Sequence, residues 1–154
     1  MFFCRVQRKI LKEGIQFNEV GYFVEFNLGE LSEDFFISTE FLSLEEYKDI
    51  WLIQLDFLLT LNKSAILPTY IQDIKDMEFL RTWMIYLNHN NFYIQEKIFF
   101  KEDYLNISNN EIDIQKILSL NVEREIFSAN ADKYSEWQCS YEDIRELYKN
   151  LFVI

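Results

Sequence analysis

Leu80–Phe100 reads LRTWMIYLNHNNFYIQEKIFF. Two runs rich in aromatic and β-branched residues, Leu80 to Leu87 and Phe92 to Phe100, flank Asn88-His89-Asn90-Asn91. Asparagine tolerates positive φ, so this polar interval between strand-forming runs predicts a β-hairpin. Upstream, Ser64 to Ile71 reads as a neighbouring strand. It holds the only proline, Pro68, which points to an edge strand or a bulge.

Further upstream the pattern changes period. Ser43 stands three residues before Glu46, the spacing of a capping box. Behind it, Tyr47, Trp51, Leu55 and Leu58 recur at helical spacing, and Ile50, Ile53 and Phe57 widen that stripe. The expectation is a helix apolar on most sides and deeply buried, ending at Asn62 and Lys63. Ile15 to Phe17, Tyr22 to Leu28 and Asp34 to Ser38 read as N-terminal strands. Downstream, Asn110 to Leu118 reads as a short helix, and Val122 to Phe127 and Tyr134 to Cys139 as strands. A closing helix is capped by Ser140, with Asp143 at N3 and Ile144, Leu147, Tyr148 and Leu151 on its apolar face. The sum is an α+β fold, antiparallel sheets packed against two main helices, forming one domain over residues 1–154.

Composition agrees with a packed domain. Among 154 residues, 49% are hydrophobic and 18% aromatic, ample for a core of this size. Three glycines and one proline leave little for phosphate-binding loops, and neither G-x-G-x-x-G nor a Walker-type motif occurs. The net charge of −11 disfavours nucleic acid and anionic membranes. The first residues lack the apolar run of a signal peptide. Ile50 to Leu61, the longest apolar-rich stretch, is too short to span a bilayer. Cys4 and Cys139 have no paired spacing and read as reduced core thiols. A soluble cytoplasmic protein is expected.

The charge is unevenly placed. From Glu13 to Glu46 there are nine acids (Glu13, Glu19, Glu25, Glu30, Glu33, Asp34, Glu40, Glu45 and Glu46) and no lysine or arginine. The first twelve residues carry Arg5, Arg8, Lys9 and Lys12 and no acid. A one-signed field costs self-repulsion, and either solubility or capture of a basic partner can account for it.

Catalytic groups are scarce. His89, the single histidine, sits at the expected hairpin tip, a poor setting for a triad. Three Cys and His residues cannot complete a four-ligand zinc site. Glu102-Asp103 and Glu111-x-Asp113 lack the length and glycine of an EF-hand. With twenty-six acids, no carboxylate pair stands out as an acid–base couple. No enzyme, metal or cofactor is expected; what remains is surface recognition.

Several pieces, in order, resemble immunity proteins of bacterial contact-dependent growth inhibition systems (the CdiI type). They are Tyr47-x-x-x-Trp51, Ser64-Ala65-Ile66, Trp83-x-x-Tyr86, Tyr93-x-Gln95, Ile98-Phe99-Phe100, and Arg124 eleven residues before Ser135-Glu136-Trp137. The similarity runs over about residues 35 to 152. It departs at Ala129-Asn130-Ala131-Asp132, where the family has a glycine, and at Ser38-Thr39-Glu40-Phe41, where it has an aromatic Ser-Tyr-Trp element. The resemblance implies a Whirly-like α/β fold and a cytoplasmic partner that binds one cognate toxin domain without doing chemistry. A basic RNase is the expected toxin, and a Whirly-type single-stranded nucleic-acid binder is the alternative. Glu30, Glu33, Asp34, Asp73, Asp76, Glu78, Glu102 and Asp103 are the expected toxin-binding acids. The matched aromatics, Tyr47, Trp51, Trp83 and Trp137, are expected to be scaffold. Glu136 is placed to pair with Arg124.

Overall fold

The structure is a computed structural model describing residues 4–13, 18–71, 79–100 and 114–151, with side chains described from residue 21 onward except at 114–116. The described elements are β1 (Cys4–Glu13), β2 (Asn18–Leu28), β3 (Leu31–Ser38), α1 (Leu44–Leu61), β4 (Ala65–Tyr70), β5 (Phe79–Asn88), β6 (Asn91–Phe100), α2 (Ile114–Ser119), β7 (Trp137–Cys139) and α3 (Tyr141–Lys149). They form two antiparallel sheets, β1-β2-β3 and β4-β5-β6-β7, with α1 packed against β4 and β5 and α3 against β2. The fold is α+β. No helix among the described residues is long and apolar enough to cross a membrane.

The hairpin forms with Asn88 opposite Asn91, so the turn is His89-Asn90 alone and both flanking asparagines belong to the strands. His89 is exposed and takes the positive φ of 56°. β1 was not expected. Its register against β2 slips between Val6 and Arg8, which breaks the period-two sequence pattern that marks a strand. The strand expected at Ile15 to Phe17 lies outside the described residues, as does the start of the helix expected at Asn110. Val122 to Phe127 is irregular, not a strand, apart from an isolated Phe127–Lys133 bridge. The strand expected over Tyr134 to Cys139 shortens to β7.

α1 begins at the expected capping box: Glu46 N–H donates to Ser43 Oγ, and Ser43 N–H to Glu46 Oε2. It ends at Asn62, which adopts the left-handed conformation. Its environment differs from expectation. Tyr47, Trp51, Gln54, Leu55 and Leu58 are buried, but Asp49, Ile53 and Asp56 face solvent, and Ile53 is 52% exposed. The helix is laid on the molecule with one open face.

The buried face of α1 also closes a sheet edge. β4 is the outer strand of its sheet, and an edge strand presents unpaired backbone groups. Ile66 N–H donates to Gln54 Oε1 at 3.1 Å, Trp51 Nε1–H to Pro68 O at 2.8 Å, and Ile71 N–H to Tyr47 Oη at 3.1 Å. Proline at position 68 costs no ladder bond: Ile66 N–H and Pro68 O both face the helix, so the N–H that proline lacks would also have pointed to that side and not to β5. Gln54 Nε2 reaches on to Leu118 O at 3.0 Å, tying α2 to the same point. Thus Tyr47-x-x-x-Trp51 acts as an edge cover.

The core sits where the sheets meet α1. The Phe26 ring lies 5.6 Å from Trp51 and 6.1 Å from Trp83, Phe35 contacts both tryptophans, and Trp83 packs edge-on against Trp137 at 5.8 Å. A second junction joins the β2–β3 turn to β7. Glu30 N–H donates to Gln138 O, and Gln138 N–H to Glu30 Oε2, each at 3.0 Å. α3 follows from the expected Ser140–Asp143 capping box and buries Ile144 and Leu147. Beside it, burial pushes the free Cys139 thiol up to about 12, the mark of an inert core thiol.

Candidate functional site

The acids expected to act together are spread apart. Glu30 is exposed, but its carboxylate is engaged by the Gln138 amide. Glu33 and Asp34 are exposed on the edge strand β3, and successive strand residues point to opposite faces. Glu33 pairs in register with buried Phe26, so it lies on the core side of the sheet. An inward charge of this kind blunts an edge against foreign strands. Asp34 pairs with Glu25 on the outer face. Asp73, Asp76, Glu78, Glu102 and Asp103 lie outside the described residues.

The two acids of β2 have basic positions opposite them on β1. The register places Arg5 opposite Glu25 and Lys12 opposite Glu19. Two of the nine acids, Glu19 and Glu25, thus stand in register with basic positions of the adjacent strand; Glu13 ends β1, and the rest of the acid block lies beyond both strands.

Open clefts lie among the described residues. One, of about 400 Å³, lies between β3 and the β4–β5 end, with Asp34, Phe36, Tyr70, Phe79 and Arg81 in its wall. Its single carboxylate and a guanidinium paired to Glu96 at 3.1 Å do not make an acid–base couple. Another, of about 370 Å³, is lined by Tyr86, Asn121, Glu123, Arg124 and Ile126 among others. No metal-sized group of His, Cys, Asp or Glu side chains exists among the described residues.

At this second cleft lies a connected polar cluster. Arg124 grips Glu136 with two bonds, Nε to Oε2 at 2.8 Å and Nη2 to Oε1 at 2.6 Å. Both side chains are 18% exposed. The guanidinium lies 3.8 Å over the Tyr93 ring, a cation–π stack that fixes its plane. Gln95 Nε2 donates to Glu136 Oε2 and to Glu125 O, each at 2.7 Å. The expected Arg124–Glu136 pair therefore exists, and it staples an irregular segment to β6.

That staple holds the base of a tight loop. Tyr134 N–H donates to Ile126 O at 3.0 Å, Ser128 N–H to Asp132 O at 2.7 Å, and Ala131 N–H to Ser128 O at 2.9 Å. Ala131 has φ of 61°, a conformation that costs a non-glycine residue about 1–2 kcal/mol. This is the loop whose sequence lacks the glycine found in the resembling family. Ile126 and Phe127 stand 47% and 59% exposed within it. Sequence reasoning missed them because strand alternation would have buried one of the two.

The bond from Arg124 holds the Glu136 carboxyl below its ordinary 4.5; burial opposes this and Gln95 assists it. A depressed carboxylate contributes stability above its unfolded pKa and loses it as pH falls through the folded value. Wild-type stability should therefore decline below pH 4.5. Glu136→Gln should be less stable at neutral pH and show a shallower acid decline, read from urea midpoints across pH. An unchanged acid arm would show that the pair adds nothing.

Comparison with known proteins gives this architecture a family. A family model described as the CdiI N-terminal domain matches residues 37–147. The chain belongs to the CdiI family. That span holds α1, the second sheet and the Arg124–Glu136 staple, while β1 and β2 lie before it. A solved structure titled as the CdiA-CT/CdiI toxin and immunity complex from Enterobacter cloacae contains a similar chain, with a TM-score of 0.78 at 19% identity over 97% of each chain. At that identity the likeness establishes a shared fold alone. None of the curated proteins matches the sequence.

Proposed function

We propose that this chain is an immunity protein that binds one cognate contact-dependent growth inhibition toxin domain, 1:1, in the cytoplasm. The toxin is a basic RNase, inhibited by occlusion of its substrate surface. The carrying observation is membership of the CdiI family over residues 37–147. The −11 net charge supports a basic partner, since complementary fields raise association rates. Glu33 and Asp34, with Asp73, Asp76, Glu78, Glu102 and Asp103, supply that field.

The probe is the cognate toxin domain, sought as the C-terminal domain of a large surface protein encoded next to this chain's gene. Co-expression should restore growth of cells making that domain, and the purified pair should form a 1:1 complex that cleaves no RNA. Growth arrest despite co-expression would refute the reading. Binding of single-stranded RNA at moderate salt, without toxin binding, would favour the nucleic-acid alternative. Reversal of Glu33 and Asp34 to lysine should slow association several-fold at low salt, with little change at high salt. Glu30 is best left intact in that experiment because its carboxylate holds Gln138. Equal association rates at both salt concentrations would remove β3 from the steering surface.

A further inference from the structure

We infer that the Ile126–Phe127 loop is the apolar anchor by which this chain grips the toxin; the inference rests on the functional reading above. Adjacent exposed large side chains on a rigid support are unusual, since scattered single ones are the norm on soluble surfaces. Here the support is built twice over. The loop closes on itself through Ser128, Ala131, Asp132 and Tyr134, with an added bond from Asp132 N–H to Ser128 Oγ at 3.2 Å. Its base is held by Arg124, Glu136 and Gln95. A ring projecting from a backbone fixed in advance costs less ordering on docking than one on a mobile loop, the economy that aromatic hot spots exploit.

Strain points the same way. Ala131 is held at positive φ in the loop that carries Phe127. Strained backbone persists where its surroundings over-determine it, and such places cluster at binding sites.

Charge selects the occupant. Glu123, Glu125 and Asp132 are exposed around the two apolar residues, against Lys133 as the exposed cation, while Arg124 is matched by Glu136. An apolar knob with an acidic rim fits a basic protein surface holding a hydrophobic recess. It does not fit a polyanion, and a second copy of this acidic chain would meet its own rim. The toxin domain is therefore the partner. The acids of β3 govern encounter and the loop governs residence time.

The test compares Phe127→Ser with Ile53→Ser, a control at a similarly exposed apolar position on α1. Both variants should keep the wild-type urea midpoint to within a small shift, because each side chain is half in water. Against the purified toxin domain, Phe127→Ser should dissociate about 30-fold faster or more, and Ile53→Ser at the wild-type rate. Ala131→Gly should retain binding, since the loop shape suits glycine. Wild-type binding with Phe127→Ser unaffected would overturn the anchor alone. Wild-type failure to bind would overturn the functional reading and this inference with it. A wild-type dimer in light scattering, lost in Phe127→Ser while toxin binding persists, would reassign the loop to self-contact and also overturn the proposal.

Discussion

Trp51→Ala should lose about 3–5 kcal/mol of folding stability, much of what a domain of this size possesses. Trp51 is fully buried and stands between Phe26 of the first sheet and the covered edge of β4. Removing it opens a cavity at the meeting point of both sheets. It also takes away the donor used by the Pro68 carbonyl, and a buried acceptor left unpaired costs about 1–3 kcal/mol. Trp51→Phe separates these losses, keeping a ring in the cluster while deleting the indole N–H. Its cost should be intermediate. Urea midpoints with unchanged slopes would measure both. An alanine variant within 1 kcal/mol of wild type, on the order of a surface substitution, would contradict the edge-cover account.

Gly29→Ala should cost roughly 2–5 kcal/mol, combining left-handed backbone strain with overpacking. Gly29 has φ of 60° in the β2–β3 turn. A Cβ there would collide with the Gln138 carbonyl and lie 2.5 Å from Cys139 Cβ and 2.7 Å from its Cα. Two of those three neighbours are backbone, which cannot swing aside. Gly29→Asn tests which cost dominates, because asparagine tolerates the φ but still carries a Cβ. Comparable damage from both variants would identify the close approach to β7 as the cause. A mild asparagine variant would identify backbone strain.

Local chemistry made much of this fold legible in the sequence. Ser43-Glu46 and Ser140-Asp143 announce their helices because a cap is satisfied within four residues. The Asn-rich interval announces its hairpin for the same reason. What stayed hidden depends on distant partners. β1 is masked by its register slip, and the solvent face of α1 by Ile53, an apolar residue that meets no neighbouring layer. Glu30 could be read from sequence only as an exposed acid; that it grips a backbone amide 108 positions away requires the folded chain. The candidate site divides similarly. Arg124 and Glu136 were visible as a pair. Ile126 and Phe127 were not visible as an exposed unit, because an apolar dipeptide ordinarily signals a strand.

The difference in reach between the two junctions has a kinetic consequence. The Trp51–Pro68 bridge spans 17 residues, whereas the Glu30–Gln138 latch spans 108. Short-range contacts cost less loop-closure entropy and form readily in a folding nucleus. α1 with β4 is thus suited to assemble early, and the β2–β3 turn to dock late. Substitutions at the latch should then act on the unfolding limb of the chevron, and substitutions at Trp51 should slow folding itself. A chain built this way guards its native lifetime at a turn far from the segment that starts its folding.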